Sequence, residues 1–197
     1  MNIPTLEIAK QLIKKIEDSY SNSIVQYNPD ERHYSGMLMI DISLEHFKSV
    51  VSLVELNLPG SAFALLRVQY ESFIYSVWIL NCATSAQLKQ FKKNRLKKTM
   101  AGLITQIEDD NKDIAGMLSS GHHKAWRILN SYTHSGMLQL SRRINAKNEV
   151  GPNYSAAEIA ESLEFSMRTA KLTAYQHALL VGDSSKIMWI ENLIKEG

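Results

Sequence analysis

The sequence predicts an all-α protein, an up-and-down bundle of six or seven long helices, and three observations carry that prediction. Apolar residues recur at alternating spacings of three and four along most of the chain, the period of a single helix face. Only four prolines and nine glycines occur in 197 residues, so little punctuates long helices. No segment alternates apolar and polar residues as a half-buried strand would. A single domain spanning residues 1–197 fits this length, with enough chain to bury a substantial core.

The elements follow in order. A first helix starts at Pro4, which has no N–H to leave unbonded in a first turn, and runs to about Ser19. The polar stretch "SYSNSIVQYN" is a loop, and Asn28-Pro29 opens the second helix. There Met37, Ile40, Leu44, Phe47, Val51, Val54 and Leu58 form a seam of three heptads, the kind of seam that can pair with a second copy, before Pro59-Gly60 ends it. A third helix, about 61 to 82, is apolar on almost every side and belongs in the middle of the bundle.

Thr84 or Ser85 caps a fourth helix, whose Leu88, Phe91, Leu96, Met100, Leu103 and Ile107 face inward until "EDDNKD" breaks it. A fifth runs from about His122 to Ile144 on a seam of Trp126, Leu129, Thr133, Met137, Leu140 and Ile144. After the loop "NAKNEVGPN", Ser155 and Glu158 form a capping box for a sixth helix bearing Ile159, Leu163, Met167, Ala170, Ala174 and Val181. Gly182-Asp183 then turns the chain into a short terminal helix through Ile187, Ile190 and Leu193.

Bulk properties exclude several classes. An apolar fraction of 45% and a charged fraction of 21% are ordinary for a soluble domain, and a formal charge of +2 does not by itself imply nucleic-acid binding. The one cysteine, Cys82, excludes an intrachain disulfide, fits a reducing compartment and reads as a small core residue. No signal peptide is expected in "MNIPTLEIAKQLIKKIEDS", and Arg67 and Glu71 interrupt the most apolar stretch, so no membrane span is expected either. The expected location is the cytoplasm.

Two polar constellations stand out. Arg127 and His134 are seven residues apart, which places them about 20° from each other around a helix, with Asn130 close to the same line. They flank the buried seam, where a histidine can move protons near neutral pH and an arginine can hold a phosphate. On the third helix Arg67 and Glu71 are an i, i+4 pair with Trp78 two turns further on. An ion pair in so apolar a helix needs hydrogen bonds to complete it, so it either fixes register or anchors His134.

Weaker signals surround these. "KQFKKNRLKK" holds six basic residues, of which Lys92, Lys93 and Lys97 group on one outer face with Lys89 and offer a phosphate-backbone surface or a merely solvated one. His122-His123 reads as an exposed first turn, and His177 as packing. Asp41, Glu45 and His46 lack the Glu-x-x-His pattern of a dimetal site, so no metal or other cofactor is expected.

The Arg127…His134 pair resembles the Arg-x(4–6)-His signature of HEPN-domain ribonucleases, which are all-helical, often dimeric and metal-independent. The resemblance implies that Arg127 stabilises the phosphate and His134 moves protons to or from the ribose and leaving oxygens. Ile128 departs from the polar residue usual after that arginine, so Asn130 would have to substitute. "RVQYESFIYSVW" together with "LNSYTHSGMLQLSRR" is also similar to a group of uncharacterised bacterial proteins, over about residues 35 to 180. The matching positions are Arg67, Glu71, Trp78, Asn130, Tyr132, Thr133, His134 and Gly136.

Three functions stay open on this reading. One is a HEPN-like ribonuclease of a toxin or phage-defence system, a homodimer acting on RNA, with His134, Arg127, Arg67 and Glu71 as its catalytic set. Another is an interaction module held by a structural Arg-Glu-His network. The third is a small-ligand sensor whose pocket is lined by Trp78, Tyr75 and Tyr132.

Overall fold

The computed structural model describes residues 3–21, 30–134, 136–145 and 147–195. Among them the chain forms nine α-helices and no strand, apart from one isolated bridge between Ile144 and Val150. These are α1 (Pro4–Ser21), α2 (Glu31–Glu55), α3 (Pro59–Asn81), α4 (Ser85–Lys92), α5 (Met100–Asp110), α6 (Met117–Thr133), α7 (Met137–Ser141), α8 (Ala156–Val181) and α9 (Ser184–Lys195). The expected Asn28-Pro29 start of the second helix lies outside the described residues. None of the helices is long and apolar enough to cross a membrane, among the described residues.

α3 is the hub. It packs most extensively on α2 and also against α8, α6 and α5, while α1 and α9 lie on α8. Trp78, Ile74 and Ile79 on α3 are fully buried. The heptad seam of α2 is consumed by these intrachain contacts: Ile40, Leu44, Phe47, Val51 and Val54 are all in the core. The seam predicted to pair two copies therefore holds one copy together. Its last predicted residue, Leu58, is exposed, because α2 stops earlier.

A buried polar network sets the register of the hub. Gln69 is wholly buried; its Nε2 donates to the Ser166 carbonyl at 2.9 Å, and the Ser166 hydroxyl donates to its Oε1 at 2.6 Å. Ser43 on α2 donates to the Gln69 carbonyl at 3.1 Å and meets the Thr173 hydroxyl at 3.0 Å. Every member is satisfied, so α2, α3 and α8 lock in one alignment without an orphaned dipole.

Two of the predicted helices are each broken in two, and both breaks have local causes. The fourth stops at Lys92 because Asn94 adopts a left-handed φ of 53°, which lets the Arg95 N–H return to the Gln90 carbonyl at 2.8 Å. Thr99 then starts α5 by accepting the Gly102 N–H at 3.2 Å. Asn57, at φ 58°, ends α2 in the same way, as does Gly182, at φ 67°, for α8. The capping box at Ser155 and Glu158 is formed as the sequence indicates.

The fifth helix differs at both ends. It begins five residues before His122, where the Glu108 carboxylate accepts the Ser119 N–H at 2.9 Å. It ends at Thr133 rather than Ile144, so Met137, Leu140 and Ile144 never extend its seam and are instead exposed.

Candidate functional site

The break after Thr133 builds the site. Gly136 folds back so that its N–H reaches the Ser131 carbonyl at 2.6 Å, and the Ser131 hydroxyl accepts the Leu138 N–H at 3.3 Å. A Cβ at Gly136 would lie 2.9 Å from that carbonyl oxygen and 3.0 Å from the Ser131 Cα, contacts with backbone that cannot swing aside. Gly136→Ala is therefore expected to cost about 1 to 2 kcal/mol, read by urea denaturation. An unchanged midpoint would show that the corner is not tight.

The neighbouring residues each have a task. Tyr132 is buried, edge-on to Phe63 at 5.0 Å between centroids. Thr133 donates to the Leu129 carbonyl at 2.9 Å and lies 3.3 Å from the Ala64 carbonyl of α3. His134, the last cap of α6, is exposed and meets Arg67.

Arg67 is the centre of the cluster. Its Nε donates to the Glu71 carboxylate at 2.8 Å, one turn along α3, and a terminal nitrogen bonds the Nε2 of His134. Its guanidinium lies over the Trp126 ring, 4.9 Å from the centroid. Arginine keeps its charge and offers only donors, so the Nε2 of His134 is the acceptor of this bond. The Arg67 and Glu71 side chains are 19% and 23% exposed, half-sunk between helices rather than sealed.

α6 runs antiparallel to α3, pairing His122 with Tyr70, Trp126 with Arg67 and Thr133 with Ala64. His122, Trp126 and Asn130 recur every four residues, so one face of α6 meets α3. His122 is only 4% exposed, not the exposed first turn the sequence suggested. It stacks on Tyr70 at 6.0 Å between centroids and lies tilted against Trp126 at 4.6 Å, and burial, with His123 beside it, holds its pKa below the ordinary imidazole value. Among the described residues, its Nδ1 and the Oδ1 of Asn130 are buried without a hydrogen-bond partner.

The other expected residues lie elsewhere. Arg127 is exposed, and no described residue hydrogen-bonds or ion-pairs with it; Arg67 takes the place at His134 that the sequence motif gave to Arg127. Trp78 is fully buried and donates its indole N–H to Gln106 at 3.0 Å, so it belongs to the core rather than to the wall of a pocket. Tyr75 is half-buried against Phe91. Lys92 is ion-paired with Glu31, while Lys93 and Lys97 are exposed. This lysine run adjoins Trp78 of α3, about 16 Å along the helix from Arg67.

No group of three or more His, Cys, Asp or Glu residues among the described residues could hold a metal ion. Asp41 and Glu45 instead line a cavity of about 80 Å³ between α1 and α2, with Glu17, Tyr20 and Lys48.

Sequence reasoning missed Trp126 as the platform for Arg67, because a tryptophan at seam spacing reads as core. It also missed that residues 114–148 contain no aspartate or glutamate, a signal legible without coordinates. No curated protein and no solved structure matches the chain. A family model does match, across residues 40–196, a span that takes in the whole Arg67–Glu71–His134 cluster. The chain belongs to that family, DUF6988, a family of unknown function.

Proposed function

We propose that this protein is a HEPN-like, metal-independent ribonuclease whose working groups are Arg67, Glu71 and His134. The observation that carries the reading is their convergence: an exposed imidazole bonded to an arginine that is clamped by a carboxylate on one side and an indole on another. Such a clamp fixes the guanidinium plane before a ligand arrives, and a fixed cation stabilises a transition state without reorganising. All three groups come from one chain, so the cluster itself does not need a second copy. A nuclease of this kind would suit a toxin or phage-defence system.

The chemistry has one requirement. With Arg67 donating to Nε2, His134 has no lone pair free to act as a base. A scissile phosphate that takes over the Arg67 donor releases Nε2. The imidazole then accepts the 2′-hydroxyl proton, the 2′-oxygen bonds to phosphorus, and the P–O5′ bond breaks. The same nitrogen returns its proton to the leaving 5′-oxygen, so the products are a 2′,3′-cyclic phosphate and a free 5′-hydroxyl. Glu71 orients the arginine throughout.

The same bond favours a second reading, a purely structural network that ties the α6 terminus to α3. One experiment separates them: single-stranded RNA incubated with the protein in excess chelator. The nuclease reading expects cyclic-phosphate ends from the wild type and none from His134→Ala, at a stability cost of about 1 kcal/mol or less because the ring is exposed. If the wild type never cleaves and His134→Ala loses several kcal/mol, the network is structural.

A further inference from the structure

We infer that the outer face of α6 is a docking track for single-stranded RNA, on which Lys124 and Arg127 hold phosphates that flank the one at Arg67 and His134. This rests on the nuclease reading and extends it to a substrate of several nucleotides.

The charge distribution is the first support. Between Asp113 and Glu149 the chain carries Lys124, Arg127, Arg142, Arg143 and Lys147 and no acidic residue. Arg142 is neutralised by Glu158. Neither Lys124 nor Arg127 has an acidic partner among the described residues, and both are exposed, as is His123 beside them. A run of cations without acids sets up a positive potential that concentrates a polyanion.

Placement is the second support. Arg127 lies about 20° from His134 around the helix and about 10 Å along it, and Lys124 is a further turn back, about 4.5 Å. The cations therefore lead to the Arg67–His134 cluster along one element. The lysine run at Lys92, Lys93 and Lys97 is a poorer track, because it starts about 16 Å away on another helix and Lys92 is already paired with Glu31. Exposed Ile128 and the His123 ring interleave with the cations and give bases an apolar and a planar surface to lie on.

The test uses the full chain and uncleavable 2′-O-methyl oligonucleotides of two and twelve nucleotides, with affinity followed by fluorescence anisotropy as salt is raised. The twelve-mer is expected to bind at least tenfold more tightly than the dimer. The Lys124→Ala/Arg127→Ala double variant should weaken the twelve-mer about tenfold and flatten the log–log salt slope by about 1.4, at about 0.7 per lost single-strand phosphate contact. The track is overturned if that variant keeps the wild-type slope, or if Lys93→Ala/Lys97→Ala takes the loss instead. Binding to phosphatidylserine vesicles without binding to the oligonucleotide would equally overturn it, since an anionic membrane would then be the partner. If the twelve-mer binds through Lys124 and Arg127 while cleavable RNA stays intact, only the nuclease reading falls.

Discussion

Arg67→Ala is expected to remove about 2 to 3 kcal/mol of stability and, on the proposed nuclease reading, to eliminate RNA cleavage. The reason is what it leaves behind. Glu71, its side chain 23% exposed, loses the donor at 2.8 Å that compensates its partial burial, and Trp126 loses the cation over its face. Breaking a fully buried pair costs about 3 to 5 kcal/mol, and partial exposure of this one lowers the figure. Arg67→Lys should recover about 1 kcal/mol, because a lysine restores charge but neither the fixed fork nor the flat stacking surface. Adding Glu71→Gln to Arg67→Ala should recover stability relative to the single variant, since no unpaired carboxylate then remains. A urea midpoint unchanged in Arg67→Ala would show that the clamp does not stabilise the fold.

Acid is expected to destabilise the fold by up to about 3 kcal/mol through a single residue, His177. It is buried at 8% exposure, its Nδ1 has no hydrogen-bond partner among the described residues, and its ring is edge-on to Tyr20, 4.1 Å between centroids. Burial, reinforced by the positive charge of Lys186, pushes its pKa down to about 4. Below the unfolded value of about 6.5 the unfolded chain takes up a proton that the folded one refuses, so stability falls as pH drops from about 6.5 to about 4. His177→Leu keeps a similar volume and removes both the proton and the orphaned nitrogen. It should flatten that limb of the stability–pH curve by about 3 kcal/mol, and the two curves should run parallel above about pH 7. Equal slopes for the two proteins between pH 6.5 and 4 would show that His177 does not titrate in the core.

The same residue types were legible in the sequence to different degrees, and the difference is physical. Arg67 and Glu71 could be paired from spacing, because an i, i+4 relation is a property of one helix. Their meeting with His134, sixty-seven positions on, was an idea about helices touching, and only the packing of α6 against α3 realises it. The Arg127–His134 spacing puts both residues on one face of α6, but within the chain the arginine that bonds His134 is Arg67. Those two side chains are set about 10 Å apart along α6, whereas Arg67 arrives from a different helix at contact distance. Trp126 reads as core because helical spacing makes a cluster residue indistinguishable from a core residue, and His122 reads as an exposed first turn because the helix in fact starts five residues earlier.

By itself the sequence determined the helical class, the centrality of α3, the capping box of α8 and the polar exclusion of a membrane span. These follow from periods and caps that act within a few residues, where local physics suffices. Tertiary structure decided the rest: that the α2 seam is used within one copy, that Gly136 turns the chain at His134, and that a tryptophan backs Arg67. Each of those depends on which surface of one helix is covered by another. No window of neighbouring residues carries that information, because burial is a property of the whole packed chain.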